Sequence, residues 1–359
     1  MRALVRASSV DSVVRVTGNF ASESPLHPAA REALLAAFDQ GWADPKKISQ
    51  SAARAAILRN QALENIAHRL DIPIDSIEVL GEPSLGHFLS IAGLFSAGSP
   101  FVYSSVDKGK VRAIARSHAS DVIELPVNEK GTILKETPLP ANSVMSLQLA
   151  NGETGVIQPE QDFPSTIRVA IDATSSGARL PLPRHWSTAL FDSLAWNGPS
   201  GLAILAIKNR SEYLYPLPRI APISSPGSYS LPLLIASSIA LENFVSENHH
   251  IRTFAINQCA ALDGVEVVAP EANALPHQLS IVAAGVSGEQ VVRELAKNGF
   301  DVDSGSACSP EDLQPSHVLA AMGYATIGHI RFTFHAGTTE QDVSALVNAI
   351  REVLGALRR

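Results

Sequence analysis

The sequence predicts an α/β protein with a mostly parallel central sheet flanked by helices, followed by a small α+β domain. Short apolar segments alternate with helix-forming segments between residues 77 and 207, and this alternation indicates parallel strands joined by crossover helices. After residue 245 the strands lie close together between helices, as in α+β domains. A chain of 359 residues is also long for one core, which favours two domains. We therefore predict a large domain at 1–245 and a small domain at 246–359.

Two helices precede the first predicted strand. Residues 28–42 and 49–70 are rich in Ala, Leu, Arg and Glu, with apolar residues three and four positions apart, which is the amphipathic helix pattern. The Asn197-Gly198-Pro199 turn is short enough to make its two flanking strands antiparallel neighbours. The segments from residue 77 predict helices at about 86–95 and 108–118 and the strands IEVLG, FVYSS, VIELPV, SVMSLQLA, IRVAIDA, TALFDSL and GLAILAIK.

A segment rich in proline and serine separates the two predicted domains. Residues 213–232 predict a long loop, and residues 233–248 predict a helix leading out of the sheet. Ser287 and Thr338 each precede a glutamine by three positions, the capping-box spacing of a helix start. The small domain is predicted to hold a helix at about 251–262, the strands VEVVAP and LSIVAAGV, a helix beginning at Ser287, the strand HIRFTF and a helix at 339–358.

The composition is that of a globular protein, with 45% hydrophobic and 18% charged residues and a net charge of -7. The negative charge argues against nucleic acid as a partner. No apolar stretch is long enough to cross a membrane, and the N-terminus lacks the apolar core of a signal peptide, so we expect a cytoplasmic protein without a membrane partner. The two cysteines, Cys259 and Cys308, and the scattered histidines show no metal-ligand spacing, so we expect no metal site.

Cys308 is the first candidate for chemistry. It lies among small residues in the segment SGSACSP, which begins at Ser304. This composition offers no apolar face to bury, so it predicts a partly exposed thiol on a loop. The alternative is a small core residue, since free cysteine is among the most buried residue types.

Three polar residues follow or interrupt apolar strands. Asp172 ends the strand IRVAID, and Asn151 follows SVMSLQLA, so both lie at the carboxyl ends of predicted parallel strands, where open α/β sheets bind their ligands. For each, a polar turn or a helix N-cap is the competing interpretation. Arg331 interrupts the strand HIRFTF. Such an arginine either clamps a carboxylate ligand or forms an internal salt bridge, and the sequence leaves both open.

Three motifs in register resemble one family. The segments NGETGVIQP at 151–159, SGSACS at 304–309 with LQPSHVLAAMGY behind it, and RFTFHAGTTEQDV at 331–343 are similar to motifs of the cysteine desulfurases. These belong to the class V aminotransferase family of fold-type I pyridoxal-phosphate enzymes. The resemblance covers residues 19–350 and implies a large cofactor domain, a small C-terminal domain and a homodimer with sites at the subunit interface.

The resemblance also implies roles for individual residues. Cys308 would take sulfur from the substrate, Arg331 would clamp the substrate carboxylate, and Asp172 would pair with the pyridinium nitrogen of pyridoxal phosphate. An acid at the ring nitrogen makes this cofactor an electron sink. Asn151 would lie at the substrate and Ser175 at the cofactor.

The lysine that holds the cofactor in this family is replaced. The family carries it in a Ser-x-His-Lys segment shortly before Gly-Pro, and the segment FDSLAWNGP places Leu194 and Ala195 on the last two positions. The nearest lysine along the chain, Lys208, lies beyond the next strand. Without a lysine at residue 195 the cofactor cannot be held as an internal aldimine, and the usual proton shuttle is lost.

Other cofactor positions also depart from the family pattern. No histidine stands near Ser105 to stack on the ring, a serine replaces glutamine at 175, and Gly152 replaces the second of two asparagines. The phosphate loop reads Gly81-Glu82-Pro83, in which the acid repels a phosphate and the proline removes a backbone donor. Residues 225–228, SPGS, replace an Arg-x-Gly-Thr segment at the subunit interface.

The sequence therefore favours a divergent, cytoplasmic, homodimeric member of the family that has lost ordinary pyridoxal-phosphate catalysis. Its role would be to accept or relay sulfur on Cys308, or to pair with an active desulfurase, a sulfur acceptor or an iron–sulfur scaffold protein. Two alternatives stay open. One is an active pyridoxal-phosphate enzyme that uses a lysine from an unexpected place or holds the cofactor noncovalently, and the other is an interaction module whose loops have no chemical role.

Overall fold

The computed structural model describes residues 18–40, 43–134, 138–218, 229–305 and 315–359. Cys308 and the segment 225–228 lie outside the described residues. The helices are α1 Pro28–Gln40, α2 Gln50–Leu70, α3 Gly86–Ala92, α4 Gly109–Ser117, α5 Leu231–Glu242, α6 His249–Ala260, α7 Gly288–Lys297, α8 His317–Ala321 and α9 Glu340–Leu357. The strands are β1 Asn19–Phe20, β2 Ile77–Leu80, β3 Phe101–Ser104, β4 Val122–Leu125, β5 Val144–Gln148, β6 Arg168–Asp172, β7 Thr188–Asp192, β8 Ala203–Ile207, β9 Val265–Val267, β10 Gln278–Ala283, β11 Asp301–Val302 and β12 His329–Thr333.

The central sheet has seven strands in the order β2-β8-β7-β6-β5-β3-β4. The pairs from β7 to β4 are all parallel, and β8 is antiparallel to both β2 and β7. The mostly parallel sheet is therefore confirmed, and so is the antiparallel pairing across the turn at Asn197. Asn197 has a positive φ of 58°, a conformation that asparagine adopts more readily than most residues.

The central strands are mostly apolar, and nearly all of their residues are buried, because both faces of the sheet are covered. Every residue of β5 and β8 is buried, as expected for a sheet between two helical layers. α1 and α2 pack against α5, and their apolar residues join the largest hydrophobic cluster together with Val102 of β3. The neighbouring Phe101 belongs instead to a cluster with residues of α3 and α4, because successive side chains of a strand point to opposite faces.

A second, antiparallel sheet has the order β12-β10-β9. α6, α7 and α9 surround a separate apolar cluster that includes Phe332, Phe334 and Cys259. β1 pairs in parallel with β11, which brings residues 19 and 20 to this part of the molecule. Burial raises the pKa of the Cys259 thiol to about 12, so Cys259 is a core residue and not a nucleophile.

One helix start and two helix caps differ from the sequence predictions. The helix expected at 233–248 is α5, which begins earlier, at Leu231, and ends at Glu242. Its first turn contains Pro232, which is tolerated there because the N–H that proline lacks would have no partner within the helix. The capping box expected at Thr338 is formed by Thr339 with Asp342, whose carboxylate accepts the same backbone N–H that a glutamine would. Ser287 precedes α7 but makes no side-chain cap bond, so the predicted box there is wrong. No helix in the described ranges is both long and apolar enough to cross a bilayer.

Candidate functional site

The candidate site lies where four neighbouring strands of the central sheet end. β3, β5, β6 and β7 are parallel, so the chain leaves all four at the same edge. Carboxyl ends of parallel strands are where open α/β sheets bind ligands. The side chains carried there are Lys108 after β3, Asn151 after β5, Asp172 and Ser175 at the end of β6, and Ala195 after β7.

Asp172 is buried at the centre of this edge and is only 5% exposed. Its Oδ1 accepts hydrogen bonds from the backbone N–H and the hydroxyl of Thr174, at 2.9 and 2.5 Å. Its Oδ2 lies 2.9 Å from Nε2 of His87 and 3.7 Å from Nζ of Lys108. Both carboxylate oxygens therefore already have partners within the chain.

Sequence reasoning missed His87 and Lys108. His87 lies in the first turn of α3, and Lys108 is the residue before α4. One signal was available, because Lys108 follows β3 in the loop where a histidine was sought near Ser105. The lysine that reaches Asp172 comes from this loop. Lys208, the nearest lysine along the chain, donates instead to a backbone carbonyl at residue 184.

The charges around Asp172 fix its ionisation. Burial by itself raises the pKa of a carboxyl group, but the Lys108 ammonium and the His87 ring outweigh burial and hold the pKa of Asp172 well below its usual range. Asp172 is therefore a carboxylate at neutral pH. Its negative charge is balanced by groups of the same chain.

A cavity of about 550 Å³ opens beside this cluster. His87, Lys108, Lys110, Thr174 and Asp192 supply its polar walls. The size and the few convergent polar groups are those of a small-molecule site. The Asp192 carboxylate accepts a hydrogen bond from the backbone N–H of residue 194 at 3.0 Å, and burial raises the pKa of Asp192.

A second buried acid, Asp107, precedes Lys108. It is 1% exposed and accepts a hydrogen bond from the backbone N–H of Ser104 at 3.0 Å. Burial raises the pKa of Asp107 to about 7, and the negative charge of Asp172 adds to the effect. Asp107 therefore binds a proton near neutral pH, whereas Asp172 does not.

Asn151 is held inside the turn that follows β5. Its Oδ1 accepts hydrogen bonds from the backbone N–H groups of Glu153 and Thr154, both at 2.9 Å. Its Nδ2 donates to the carbonyl of Val106 at 3.0 Å. The amide oxygen therefore holds the turn, as in the polar-turn interpretation, and the amide NH2 ties the turn to the loop after β3.

Gly152 lies close to Lys108 and Ser175, and its carbonyl contacts Arg331. A Cβ at this position would lie 2.8 Å from Oγ of Ser175 and 3.4 Å from Cε of Lys108. The glycine therefore leaves room for the lysine stem. On its other side, the Gly152 carbonyl accepts a hydrogen bond from Nη1 of Arg331 at 3.1 Å.

Arg331 reaches this turn from β12 and forms an internal ion pair. Its Nη2 lies 2.8 Å from Oδ2 of Asp303, and the same oxygen accepts the backbone N–H of Ser22 at 2.8 Å. The two side chains of the pair are 12% and 15% exposed. The Asp303 carboxylate thus lies against the guanidinium, where a ligand carboxylate would otherwise bind.

The segment that carries Cys308 begins and ends beside the same turn. At its start, a Cβ on Gly305 would lie 2.2 Å from Nδ1 of His329. At its end, the Ser316 hydroxyl donates to Oε2 of Glu153 at 2.6 Å. Nδ1 of His329 is itself 4.0 Å from that carboxylate oxygen. The described residues on both sides of the cysteine segment therefore lie near Glu153, and Ser316 is hydrogen-bonded to it.

Ala195 lies in a short 3-10 helix, Ser193–Trp196, after β7. A Cβ on Gly177 would lie 2.7 Å from the Ala195 Cβ, so the alanine packs against the turn that follows Asp172. The Ala195 carbonyl accepts a hydrogen bond from Nη1 of Arg179 at 2.6 Å. Arg179 pairs in turn with Glu247, and both side chains are less than a tenth exposed.

Comparisons with known proteins agree with this architecture. Residues 222–346 match the aminotransferase class-V family model. The cysteine desulfurase IscS of Dictyoglomus turgidum is 23% identical over 95% of this chain and 94% of the relative. The corresponding enzyme of Rickettsia prowazekii is 26% identical over 95% of this chain and 91% of the relative.

Solved structures show the same fold. A NifS-like protein superposes with a TM-score of 0.83 at 18% identity and covers 95% of this chain and 100% of its own. The cysteine desulfurase CsdA of Escherichia coli gives a TM-score of 0.73 at 18% identity, with 95% of each chain covered. The fold is therefore that of fold-type I cysteine desulfurase structures. In sequence the chain is similar to cysteine desulfurases, and its C-terminal part matches the class V aminotransferase family model.

The ring and aldehyde ends of the site do not fit pyridoxal phosphate, the cofactor of this family. A pyridinium nitrogen at Asp172 would meet Lys108 and His87, which already occupy one carboxylate oxygen. Ala195, at the position of the family's lysine, supplies a methyl group where a Schiff base needs an amine.

The loop that would bind the cofactor phosphate, Gly81-Glu82-Pro83, does not fit a phosphate either. Glu82 accepts the backbone N–H of Ser84 at 3.1 Å, so its carboxylate takes up a donor that a phosphate would use and adds negative charge. Asp192, in the cavity wall, is a second acid on this side. Oxygen anions favour backbone N–H groups and cations, and are repelled by carboxylates.

Proposed function

We propose that this protein is a cysteine desulfurase-like pseudoenzyme that keeps the family fold and the cysteine segment but does not use covalently bound pyridoxal phosphate. The occupation of Asp172 by Lys108, His87 and Thr174 carries this proposal. A cofactor ring would have to displace a cation that already balances the acid. Ala195 offers no amine to compensate by holding the aldehyde.

The role we propose is sulfur acceptance by Cys308 in a cytoplasmic homodimer. The Cys308 thiolate would attack the terminal sulfur of a persulfide on an active cysteine desulfurase. A new sulfur–sulfur bond forms on Cys308, the bond in the donor persulfide breaks, and the donor leaves as a thiolate. A sulfur-acceptor or iron–sulfur scaffold protein would then receive the sulfur. The described residues that flank the cysteine segment, Gly305 and Ser316, lie near Glu153, which supports a role for this part of the chain.

Transfer of sulfur from a persulfidated desulfurase tests this role. After incubation and removal of the donor, intact mass should show one added sulfur atom on the wild-type protein. Cys308→Ser should show none, whereas the matched control Cys259→Ser should behave like wild type, because the Cys259 thiol is buried. Sulfur uptake that persists in Cys308→Ser, or no uptake by wild type, would contradict the proposed role.

Lys108 favours one alternative function, an active enzyme with a relocated lysine. Its Nζ lies in the cavity, 3.7 Å from Asp172. However, the aldehyde of pyridoxal lies across the ring from the ring nitrogen, so a lysine beside Asp172 stands at the nitrogen end. Covalent attachment would require a reversed cofactor. A borohydride-stable adduct mapped to Lys108 would establish this alternative, and an adduct-free Lys108 would remove it.

A further inference from the structure

Lys108 supplies a positive charge to a buried acid. A carboxylate that is 5% exposed, as Asp172 is, has lost most of its hydration and needs a cation or several hydrogen bonds in exchange. The Lys108 side chain is 31% exposed. Its amine therefore lies between the buried acid and the open cavity.

Two contacts hold Lys108 in this place. Its Nζ lies 3.7 Å from the Asp172 carboxylate and donates a hydrogen bond to the hydroxyl of Thr174. That hydroxyl donates to the same carboxylate at 2.5 Å. The ammonium therefore acts on Asp172 both directly and through Thr174. The stem of the side chain passes Gly152, where a β-carbon would lie 3.4 Å from Cε.

His87 contacts the same carboxylate. It is 7% exposed, and its Nδ1 finds no hydrogen-bond partner in the described part of the chain. Because a carboxylate oxygen only accepts, Nε2 of His87 donates its hydrogen to Asp172 at 2.9 Å. Lys108 brings a primary ammonium group to Asp172, and His87 brings a second donor.

We propose that Asp172 is a binding site for a primary ammonium group, and that Lys108 is a built-in ligand which keeps this site closed. A ligand amine can reach Asp172 only when the Lys108 ammonium is absent or withdrawn. This inference concerns the same site as the proposed function and names the residue that blocks it. It does not depend on the fate of Cys308.

Chemical rescue of Lys108→Ala tests the proposal. The substitution deletes three carbons and the amine, which n-propylammonium matches in length and charge. Lys110→Ala is the control, since Lys110 lines the same cavity but is exposed. Thermal unfolding would be measured for both variants and wild type, with propylammonium chloride or sodium chloride at equal ionic strength.

We expect Lys108→Ala to lower Tm by more than about 3 °C relative to Lys110→Ala, and propylammonium to recover at least about half of that loss. The amine should leave wild type and Lys110→Ala unchanged. Equal Tm values for the two variants, or an equal response of all three proteins to the amine, would overturn the proposal.

A second measurement uses the wild-type protein and needs no folded variant. Limiting acetic anhydride acetylates the lysines whose amines are accessible, and peptide mapping compares Lys108 with Lys110. The contacts of the Lys108 amine with Asp172 and Thr174 predict several-fold slower acetylation of Lys108 than of the exposed Lys110. Equal rates would overturn the proposal. A borohydride-stable cofactor adduct on wild type would instead overturn the proposed function, so the two failures are distinguishable.

Discussion

At the scale of single residues, charge compensation within the chain governs this site. Asp172 lies beside Lys108, and Arg331 lies beside Asp303. In each pair, a group suited to bind a charged ligand meets an opposite charge from its own chain. Breaking one partner of a buried pair leaves an uncompensated charge. Removing one partner of either pair is therefore expected to destabilise the protein, and each pair is complete without a ligand.

Restoring a lysine at residue 195 tests the compensation at Asp172. We expect Ala195→Lys alone to gain little covalent pyridoxal phosphate, because Lys108 still occupies the acid. The double variant Ala195→Lys/Lys108→Ala should form at least about tenfold more borohydride-stable adduct, which corresponds to about 1.4 kcal/mol. Mass spectrometry after reduction measures the adduct, and Lys108→Ala alone is the control. Equal labelling of the single and double variants would contradict the account.

Asp107 predicts a pH dependence of stability that runs opposite to that of an ordinary carboxylate. Its folded-state pKa is about 7, above the value of about 3.9 in an unfolded chain. The folded state therefore holds a proton that the unfolded state loses. The resulting stabilisation is complete below about pH 4 and is lost as the pH rises to about 7.

Comparison with Asp107→Asn isolates this effect. Relative to the variant, the free energy of unfolding of wild type should fall by on the order of 2 to 4 kcal/mol between pH 4 and 7, and then level off. Denaturant unfolding at several pH values measures it. Asp121→Asn, at an exposed position, should show no such trend. A wild-type curve parallel to that of Asp107→Asn would be inconsistent with a raised pKa.

Residue patterns singled out Asp172 and Arg331 but not the residues that pair with them. Asp172 could be predicted because it directly ends an apolar strand. Its partner His87 lies 85 residues earlier, and Lys108 lies 66 residues before Thr174. Such contacts arise from the order of strands in the sheet, which the local periodicity of the sequence does not encode. These contacts can be recognised only once the structure shows that β3, β6 and α3 meet at one edge of the sheet.

At the scale of elements, short turns position the site, and rigid strands support them. The strands and most helices followed from the spacing of apolar residues, which records which face is buried. Helix caps were less predictable. Thr338 and Thr339 are adjacent, and each precedes a suitable acceptor by three positions. The backbone geometry, and not the pattern, selects Thr339.

The capping box of α9 gives a direct test of that choice. Thr339→Ala removes the hydroxyl that accepts the Asp342 N–H at 3.3 Å and should lower the free energy of unfolding by about 1 kcal/mol. Thr338→Ala is the matched control and should change it by less than about 0.5 kcal/mol. Chemical denaturation measures both. The reverse order of the two effects would show that the cap is misplaced.

At the scale of the whole molecule, two apolar clusters are separate, and buried polar contacts run between the elements around them. The largest cluster holds the central sheet with α1, α2 and α5, and the second holds β10, β12 and α9. The division at residue 245 stays a prediction. The buried pair of Arg179 and Glu247 ties the segment between α5 and α6 to the carbonyl of Ala195.

Loss of this buried pair should cost far more than loss of a surface pair. Glu247→Gln leaves the Arg179 guanidinium, whose side chain is 5% exposed, without its charge partner, and should destabilise the protein by about 3 kcal/mol or more. Glu289→Gln removes an exposed pair with Arg293 on α7 and should cost less than about 1 kcal/mol. Denaturant unfolding compares the two. Similar effects would contradict a structural role for Glu247.

The visible absorbance spectrum of the purified protein, with and without added pyridoxal phosphate, tests the central claim most directly. We expect only the spectrum of free cofactor, and no covalent adduct by mass spectrometry after borohydride reduction. A cofactor band that survives dialysis, together with a reduced adduct on any lysine of the chain, would contradict the claim that the Asp172 site is closed by its own residues.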